Sequence, residues 1–460
     1  MLDSFKNIFN VPDLRKRVVF TFLILGVYRI GSWIPTPGID SAALQRFFST
    51  QEGGVLGFLN LFAGGNLSRL TIFALGIMPY ISASIILQLL TVIWPYLERL
   101  SKEGEVGRKK ITQYTRYGTV VLSVIQSMGI ALWLESLEGG TIVPNPGWGF
   151  RLMTVLTLTT GTAFIMWLGE QITERGIGNG ISLIIFAGIV VGLPGAILNT
   201  IDDIRTGQKN LIFVVFLVVM MVLVMAAIVL VERAQRRIPV QYARRVVGRK
   251  MMGGMSTHIP LRVNTAGVIP VIFASSVLSI PQTLVTFSGL SDVAWVRGVA
   301  NQLNYNMPLY NLIYFIGIIF FCYFYVSIIF NPMDVADNMK KYGGFIPGIR
   351  PGKRTAEYID AVLTHLTFAG AVYLGLVALL PVFLISGLNL GALPWVGPTL
   401  ANILPDFINS GFNVKFFFGG TSLLIVVGVA MDTVQQVESQ LIMRHYDGFM
   451  RGTRIRGRRT

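Results

Sequence analysis

The sequence predicts an all-α membrane protein with ten transmembrane helices. Ten apolar segments support this, most of them near the roughly 20 residues that a helix needs to cross a hydrocarbon layer. Over the whole chain 53% of residues are hydrophobic and only 13% are charged. Because lipid offers the backbone no hydrogen-bond partners, each segment is expected to be helical. The segments are Val18–Ile34, Thr71–Trp94, Gly118–Leu134, Leu152–Leu168, Ile181–Leu198, Leu211–Val231, Gly267–Phe287, Leu309–Phe330, Ala361–Ile385 and Phe416–Met431.

The distribution of basic residues predicts that both termini lie in the cytosol. Of the 38 Lys and Arg residues, 30 fall in the N-terminus, the C-terminal tail and the loops after spans 2, 4, 6 and 8. Seven fall in the opposite loops, and Arg29 lies within span 1. Positive charge concentrates on the cytosolic side of membrane proteins. The loops after spans 6 and 8 carry more positive charge than orientation needs, which indicates a docking surface for a cytosolic partner.

The spans lack the groups that catalysis or ion-coupled transport requires. Ionisable residues in a bilayer usually mark ion or proton pathways, and the span centres are almost free of them. No HExxH motif is present, the three histidines are dispersed, and the glycine-rich run Gly348–Arg354 lacks the spacing of a phosphate-binding loop. The sequence therefore predicts neither an enzyme nor a bound metal or cofactor. Any driving force must come from a partner or a gradient.

One apolar segment, Phe58–Leu67, is too short to cross a membrane. It lies on the external side just before span 2, and Gly64 and Gly65 interrupt it, which weakens a helix by about 1 kcal/mol each. Irregular backbone at membrane depth persists only inside protein or along a cavity. The segment is therefore either a half-helix that re-enters from outside or an external loop packed on the surface, and composition favours neither.

Seven blocks of the sequence resemble the SecY family, whose members are central subunits of protein-conducting channels. Each block alone is weak, but their order along nearly the whole chain is specific, and the bacterial members are the most similar. The blocks are Gly64–Gln88, Gly176–Ser182, Ser256–Asn264, Gly267–Ser276, Asn331–Asn338, Gly344–Gly352 and Gly420–Ile425.

The resemblance implies two inverted five-helix halves around a central pore. The N-terminal half would be residues 1–198, the hinge loop 199–210, the C-terminal half 211–434 and the basic cytosolic tail 435–460. Inverted repeats with function at their interface recur in membrane transport.

The resemblance also implies a pore ring of aliphatic side chains. Spacing of four residues places such side chains on one helix face, although isoleucines at this spacing usually face lipid or pack against other helices. An apolar constriction excludes water and ions while flexible side chains deform around a polypeptide. The implied ring is Ile81, Ile85, Ile181, Ile185, Ile189, Ile272 and Ile425.

A plug and a lateral gate are implied as well. The plug would seat below the ring from outside and consists of Phe58, Leu59, Asn60, Leu61, Phe62, Ala63, Gly64, Gly65, Asn66 and Leu67. The gate would open between spans 2 and 3 on one side and spans 7 and 8 on the other. Its polar residues, Ser84, Gln88, Gln126, Ser276 and Gln282, equally suit ordinary helix–helix hydrogen bonds.

The two basic cytosolic loops match those with which the family engages a SecA-type ATPase motor or the ribosome. Arg350 is the first candidate for docking, followed by Arg244, Arg245 and Arg249, because arginine pairs well with phosphates and carboxylates. The other implied partners are SecE-like and SecG-like small membrane subunits, signal sequences, nascent polypeptides and the lipid bilayer.

These expectations describe a passive protein-conducting channel in the bacterial inner membrane. It would translocate unfolded secretory polypeptides and release transmembrane segments sideways into lipid. A small-solute or lipid transporter with ten helices is the main alternative, and the near absence of buried charge weighs against it. An intramembrane hydrolase would need a Ser/His or Asp pair at depth, and none is visible in the sequence.

Overall fold

Helices dominate the described part of the chain. The computed structural model describes residues 11–50, 60, 63–137, 142–207, 210–242, 245–247, 250–252, 256–287, 298, 302–303, 307–387 and 420–452. The helices are α1 (Pro12–Gly31), α2 (Ser41–Thr50), α3 (Met78–Ile93), α4 (Pro95–Lys102), α5 (Glu105–Ser136), α6 (Trp148–Arg175), α7 (Gly180–Arg205), α8 (Leu211–Arg233), α9 (Ile269–Phe287), α10 (Pro308–Ile329), α11 (Pro332–Lys341), α12 (Lys353–Ser386) and α13 (Gly420–Gly452).

Each of the ten predicted apolar segments lies largely within one of these helices. The matching helices are α1, α3, α5, α6, α7, α8, α9, α10, α12 and α13. Within the described residues six helices are long and apolar enough to cross a membrane by themselves, and the bent pair of α3 and α4 would make a seventh. The prediction of an all-α membrane protein is confirmed, and ten spans are consistent with these helices.

Span 2 is shorter than predicted. The sequence predicts a helix from Thr71, but α3 begins at Met78, and residues 71–77 form turns. Two local features explain the late start: Gly76 has a φ of +56°, outside the helical region, and Pro79 in the first turn has no N–H to continue a helix upstream. At Trp94 the chain bends by 98° into α4.

Two predicted boundaries also differ. The segment 199–210 was predicted as a loop, but α7 continues to Arg205, so much of that segment is helical. The predicted tail 435–460 begins inside α13, which extends to Gly452. Both differences have one cause, because a helix does not stop where the apolar composition stops unless a capping or breaking residue ends it.

The chain forms two compact units. The first unit comprises Met1–Asn199, Pro281–Arg297 and Val429–Thr460, and the second comprises Thr200–Ile280 and Gly298–Gly428. The last helix, α13, therefore contributes its first residues to the second unit and the rest to the first.

In the first unit α5 packs along α6 through small polar side chains. Their spacing of four places them on one face of α5, and small residues let helices approach closely in lipid. One of them, Ser127, has its hydroxyl oxygen 3.5 Å from that of Thr159 on α6. The buried residues of the stripe are Thr115, Thr119, Ser123 and Ser127.

In the second unit a small antiparallel sheet joins the two basic loops. The strands are β1 (Gln235–Tyr242), β2 (Arg245–Val247), β3 (Lys250–Met252), β4 (Ser256–Arg262) and β5 (Gly344–Phe345). Strand β1 pairs with β4 from the same loop and with β5 from the loop after span 8, while β2 and β3 form a separate hairpin. Sequence analysis predicts no strands, and this sheet is the main addition that the structure makes.

Alternation of side chains fixes this sheet on an apolar core. Ile238 and Val240 of β1 are buried, and the residues beside them are exposed. They pack with Leu261 of β4, Met339 of α11 and Ile359 of α12. Because successive side chains of a strand point to opposite faces, slipping by one residue would expose both β1 anchors.

Candidate functional site

The predicted pore-ring residues of span 2 lie on the buried face of α3. Ile81 and Ile85 are 5% and 2% exposed, whereas Ile86, one residue further, is 42% exposed. The spacing of four residues therefore selects the face of α3 that is packed in protein, not a face exposed at the surface.

The other five candidates are distributed over three helices. Ile185 and Ile189 on α7 are buried in the first unit, and Ile272 on α9 and Ile425 on α13 are buried in the second unit. Ile181 is only half-buried, and its side chain packs against Gly169 of α6, where an added β-carbon would lie 3.2 Å from it. Six of the seven candidates are thus buried, and Ile181 is partly engaged in ordinary helix packing.

In the described part of the predicted plug, Asn60 is helical and residues 63–65 form turns. Residues 58, 59, 61 and 62 lie outside the described residues. Asn60 organises the rest, since its carbonyl oxygen accepts from Gly65 N at 2.8 Å and its side-chain oxygen accepts from Ser68 N at 2.9 Å. The expected half-helix does not extend over residues 63–67, because Gly64 and Gly65 have φ values of +68° and +80°.

Three contacts hold the base of this plug segment to the first unit. Asn66, 2% exposed, donates from Nδ2 to the hydroxyl oxygen of Tyr28 at 3.3 Å. The backbone of Gly64 lies so close to that of Gly188 on α7 that a β-carbon on Gly64 would come within 2.8 Å of Gly188 Cα. Leu67 is buried in an apolar cluster with Leu44 of α2.

The composition of these contacts indicates how the segment is held. One neutral hydrogen bond contributes about 1 kcal/mol net, and a glycine–glycine contact adds only backbone packing. No charged group takes part among the contacts that hold residues 63–67 within the described chain. The base is therefore held by neutral contacts, of which the burial of Leu67 contributes about 1.5–3 kcal/mol, and by no ionic anchor among the described residues.

The leading docking candidate, Arg350, is exposed in the turn that leads from β5 to α12. Gly348, with a φ of +82°, permits this turn. The buried Thr355 donates from its hydroxyl to the Arg350 carbonyl oxygen at 3.0 Å, which fixes the backbone while the guanidinium projects into solvent.

The other docking candidates are less fully described. Arg245 lies in β2, and Arg244 and Arg249 lie outside the described residues. The sheet nevertheless shows that the two basic loops are one structure, because Gln241 and Tyr242 of β1 pair with Phe345 and Gly344 of β5. The turn that carries Arg350 thus follows a strand that is paired with the other basic loop.

The polar gate candidates retain unused hydrogen-bonding capacity. Gln88 donates to Ser84 within α3 at 3.3 Å, and its buried Oε1 has no hydrogen-bond partner among the described residues. Ser276 is 1% exposed, and its hydroxyl oxygen has none within the same described set. Gln126 is half-buried on α5, and the side chain of Gln282 lies outside the described residues.

Sequence reasoning missed two residues at the plug base. Tyr28 is 2% exposed in span 1, and Gly188 lies in the middle of span 5. A tyrosine within a largely apolar span is a detectable signal, because a buried hydroxyl needs a partner. Nothing in the sequence marks Gly188 among the chain's 49 glycines.

Comparison with known proteins identifies the family. A model of the SecY family matches residues 71–434. The protein translocase subunit SecY of Escherichia coli K12 is 48% identical over 450 residues, which cover 97% of this chain and 96% of that protein.

Two solved structures share the fold. A SecY structure, whose plug domain is described as stabilising the closed channel and maintaining a membrane seal, has a TM-score of 0.60 at 18% identity and covers 93% of this chain and 92% of its own. Sec61 in the canine ribosome–channel complex has a TM-score of 0.57 at 16% identity and covers 93% of each chain. On the family match and the close full-length relative, the chain belongs to the SecY family of protein translocase subunits.

Proposed function

We propose that this SecY-family chain is the channel through which unfolded secretory polypeptides cross a membrane. A channel subunit of this family is not itself an enzyme, so the force on the polypeptide comes from a partner. The observation that carries the proposal is the burial of six isoleucines on four helices, at positions that match the family's constriction. Aliphatic side chains there would exclude ions yet yield to any sequence that passes.

Photocrosslinking to a stalled secretory chain tests this proposal. A photoreactive residue at Ile85 or Ile272 is expected to crosslink to the stalled chain, because both side chains would line the path. Ile86 is the matched control, since it neighbours Ile85 but is 42% exposed and points away. Equal crosslinking from positions 85 and 86, or none from 85, would contradict a polypeptide path at this face.

The segment Phe58–Leu67 is proposed to be a plug that closes the channel at rest. The neutral contacts described at its base support this, because they can break and re-form without separating a charge pair. The solved SecY structure that the chain resembles has a plug described as a membrane seal. Deleting residues 58–67 is expected to raise the ion conductance of the purified channel in planar bilayers, and an unchanged conductance would argue against a plug.

Transmembrane segments are proposed to leave through a lateral gate. Among the described residues one oxygen each of Gln88 and Ser276 has no hydrogen-bond partner, which supports this because these groups add no bond that must break when the helices separate. An apolar signal sequence would shift the balance toward the open gate by binding that state better. Crosslinking of a signal sequence to position 88, and not to the exposed face of α3, is the expected result.

The sheet and the Arg350 turn are proposed to dock the cytosolic partner. A SecA-type ATPase would offer carboxylates and a ribosome would offer phosphates, and exposed arginines suit both. The Sec61 structure that shares this fold was solved with a ribosome. SecE-like and SecG-like subunits are the proposed membrane partners, because only 11% of the apolar stretch of α8 is buried, against 28–44% in the other five single-helix spans.

The chain is a multi-pass membrane protein, and we place it in the bacterial inner membrane with both termini in the cytosol. The asymmetric distribution of Lys and Arg supports this orientation. Cysteines introduced near Lys341 are expected to react with a membrane-impermeant thiol reagent only from the cytosolic side. Labelling from the outside would reverse the orientation.

A further inference from the structure

Two arginines of the first unit lie near Trp33. Arg29 lies four residues before it, in the last turn of α1, and the guanidinium carbon of Arg69 lies 4.7 Å from its ring centroid. Among the described residues neither guanidinium has a carboxylate within ion-pair distance. Two neighbouring positive charges of this kind favour the binding of an anion.

The backbone holds this arrangement in place. Pro35 and Thr71 form an isolated antiparallel bridge, and Ile72 N donates to Ile34 O at 3.0 Å. The bridge fixes Arg69 beside Trp33, whose ring centroid lies 4.7 Å from the guanidinium carbon. Trp33 is itself 67% exposed. Main-chain hydrogen bonds therefore fix the two backbone segments that carry Trp33 and Arg69 relative to each other.

Arg29 lies within reach of the membrane interface. It is four residues before Trp33, about 6 Å along the axis at 1.5 Å per residue. A tryptophan at the end of a span suits the interface, and the long side chain of Arg29 can extend from just inside it to the headgroup level. Phe22, seven residues earlier on the same face of α1, is 70% exposed, so this face is turned outward from the protein.

A second arginine–tryptophan pair shows what a satisfied site looks like here. The guanidinium carbon of Arg151 lies 5.4 Å from the ring centroid of Trp148. Its charge is paired within the chain, because Nη2 and Nε donate to Oε2 of Glu135 at 2.6 Å and 2.9 Å. Among the described residues the first pair has the same aromatic neighbour and no such carboxylate. Both of its guanidinium groups can therefore accept an anion that does not belong to this set of residues.

We infer that Arg29, Arg69 and Trp33 form a binding site for the phosphate of a phospholipid headgroup. Two guanidinium groups suit a phosphodiester, since they donate charge-assisted hydrogen bonds in a fork geometry, and an exposed indole beside them suits the membrane interface. The site goes beyond the proposed channel function. It depends on the proposed orientation only for its assignment to the external leaflet.

Lipid titration by native mass spectrometry tests the site. The full-length chain, with any subunits that copurify, is delipidated in detergent and titrated with dioctanoyl phosphatidylglycerol. Losing one charge-assisted partner is expected to weaken the tightest lipid-binding step about tenfold in Arg29→Gln and in Arg69→Gln. Arg151→Gln is the control and is expected to leave this step unchanged, because that charge is already paired.

Two further ligands identify what the site recognises. Dioctanoylglycerol, which lacks the phosphate, is expected to bind at least tenfold more weakly, and inorganic phosphate is expected not to displace the lipid at equal concentration. Equal binding of dioctanoylglycerol would assign the site to acyl chains, and displacement by inorganic phosphate would make it a free-anion site. Either result overturns the inference, as does unchanged lipid affinity in both arginine variants.

A variant that keeps both arginines guards against misfolding. Gly26 lies on α1 one turn before Arg29, and a β-carbon there meets nothing within 4 Å. Gly26→Glu can supply an internal carboxylate to Arg29, and lipid affinity is expected to fall about tenfold relative to Gly26→Gln. Equal affinity in these two variants would contradict a requirement for an external anion.

Discussion

Replacing Gly188 by alanine tests how tightly the plug base is seated. A β-carbon at this position would lie 3.1 Å from Gly64 Cα and 3.5 Å from Gly64 N, about half an ångström inside the optimum of roughly 3.5–4.0 Å. Overpacking of this kind costs about 1–3 kcal/mol. The cost falls only on the state in which Gly64 is in contact with α7, so the open population should rise about 5- to 150-fold.

Gly195→Ala is the matched control, because Gly195 lies in the same helix and a β-carbon there meets nothing within 4 Å. Both substitutions remove a helical glycine and should stabilise α7 by a similar amount, up to about 1 kcal/mol. Ion conductance of the purified channel in planar bilayers is the assay. Gly188→Ala is expected to raise resting conductance and Gly195→Ala is not. Equal conductance in the two variants would refute the idea that the Gly64–Gly188 contact keeps the channel closed.

Three other perturbations have defined outcomes. Ile85→Asn should raise resting conductance by wetting the constriction, whereas Ile86→Asn at the exposed neighbour should not; the same bilayer recording measures both. Arg350→Glu should abolish export into membrane vesicles while the melting temperature stays unchanged, because an exposed side chain contributes little to stability; Arg350→Lys should retain partial export, and full export by the Glu variant would exclude a docking role. Hydrogen bonds from Arg151, and to a smaller extent one from the backbone N–H of Gly147, hold the pKa of Glu135 below the ordinary glutamate value of about 4.3. The ionised carboxylate therefore stabilises the fold fully above that value, and this stabilisation is lost as pH falls through the lowered pKa. The melting temperatures of wild type and Glu135→Gln should converge in acid, and a difference that does not change with pH would contradict the role of the ion pair.

Much of the helical framework could be predicted because membrane burial leaves a long and simple signal in the sequence. Each apolar segment corresponds to a helix, since lipid leaves the backbone no other way to satisfy its hydrogen bonds. The helix ends were less predictable. Met78 and Arg205 are set by local backbone geometry and capping, and apolar composition does not report these.

The small sheet could not be predicted because its pairing is not local. Strand β5 has two residues, and β1 has a short alternation of Ile238 and Val240 among exposed residues. Neither pattern differs enough from the sequence of the surrounding loops to predict a strand, and the pairing of β1 with β5 joins residues about 100 positions apart. The Gly64–Gly188 contact was hidden for the same reason, since a close approach of two backbones needs only the absence of side chains.

The sheet also determines how a load applied at the cytosolic surface is distributed. Strand β1 follows α8 directly, and Val263 N donates to Ala234 O at 3.0 Å, so the end of β4 is tied to the end of α8. On its other side β1 is bonded to β5, which ends five residues before Arg350. A force applied to that turn would therefore act on the backbone hydrogen bonds between the strands and be transmitted to the end of α8. A flexible loop would bend under the same force and transmit little of it to the helices.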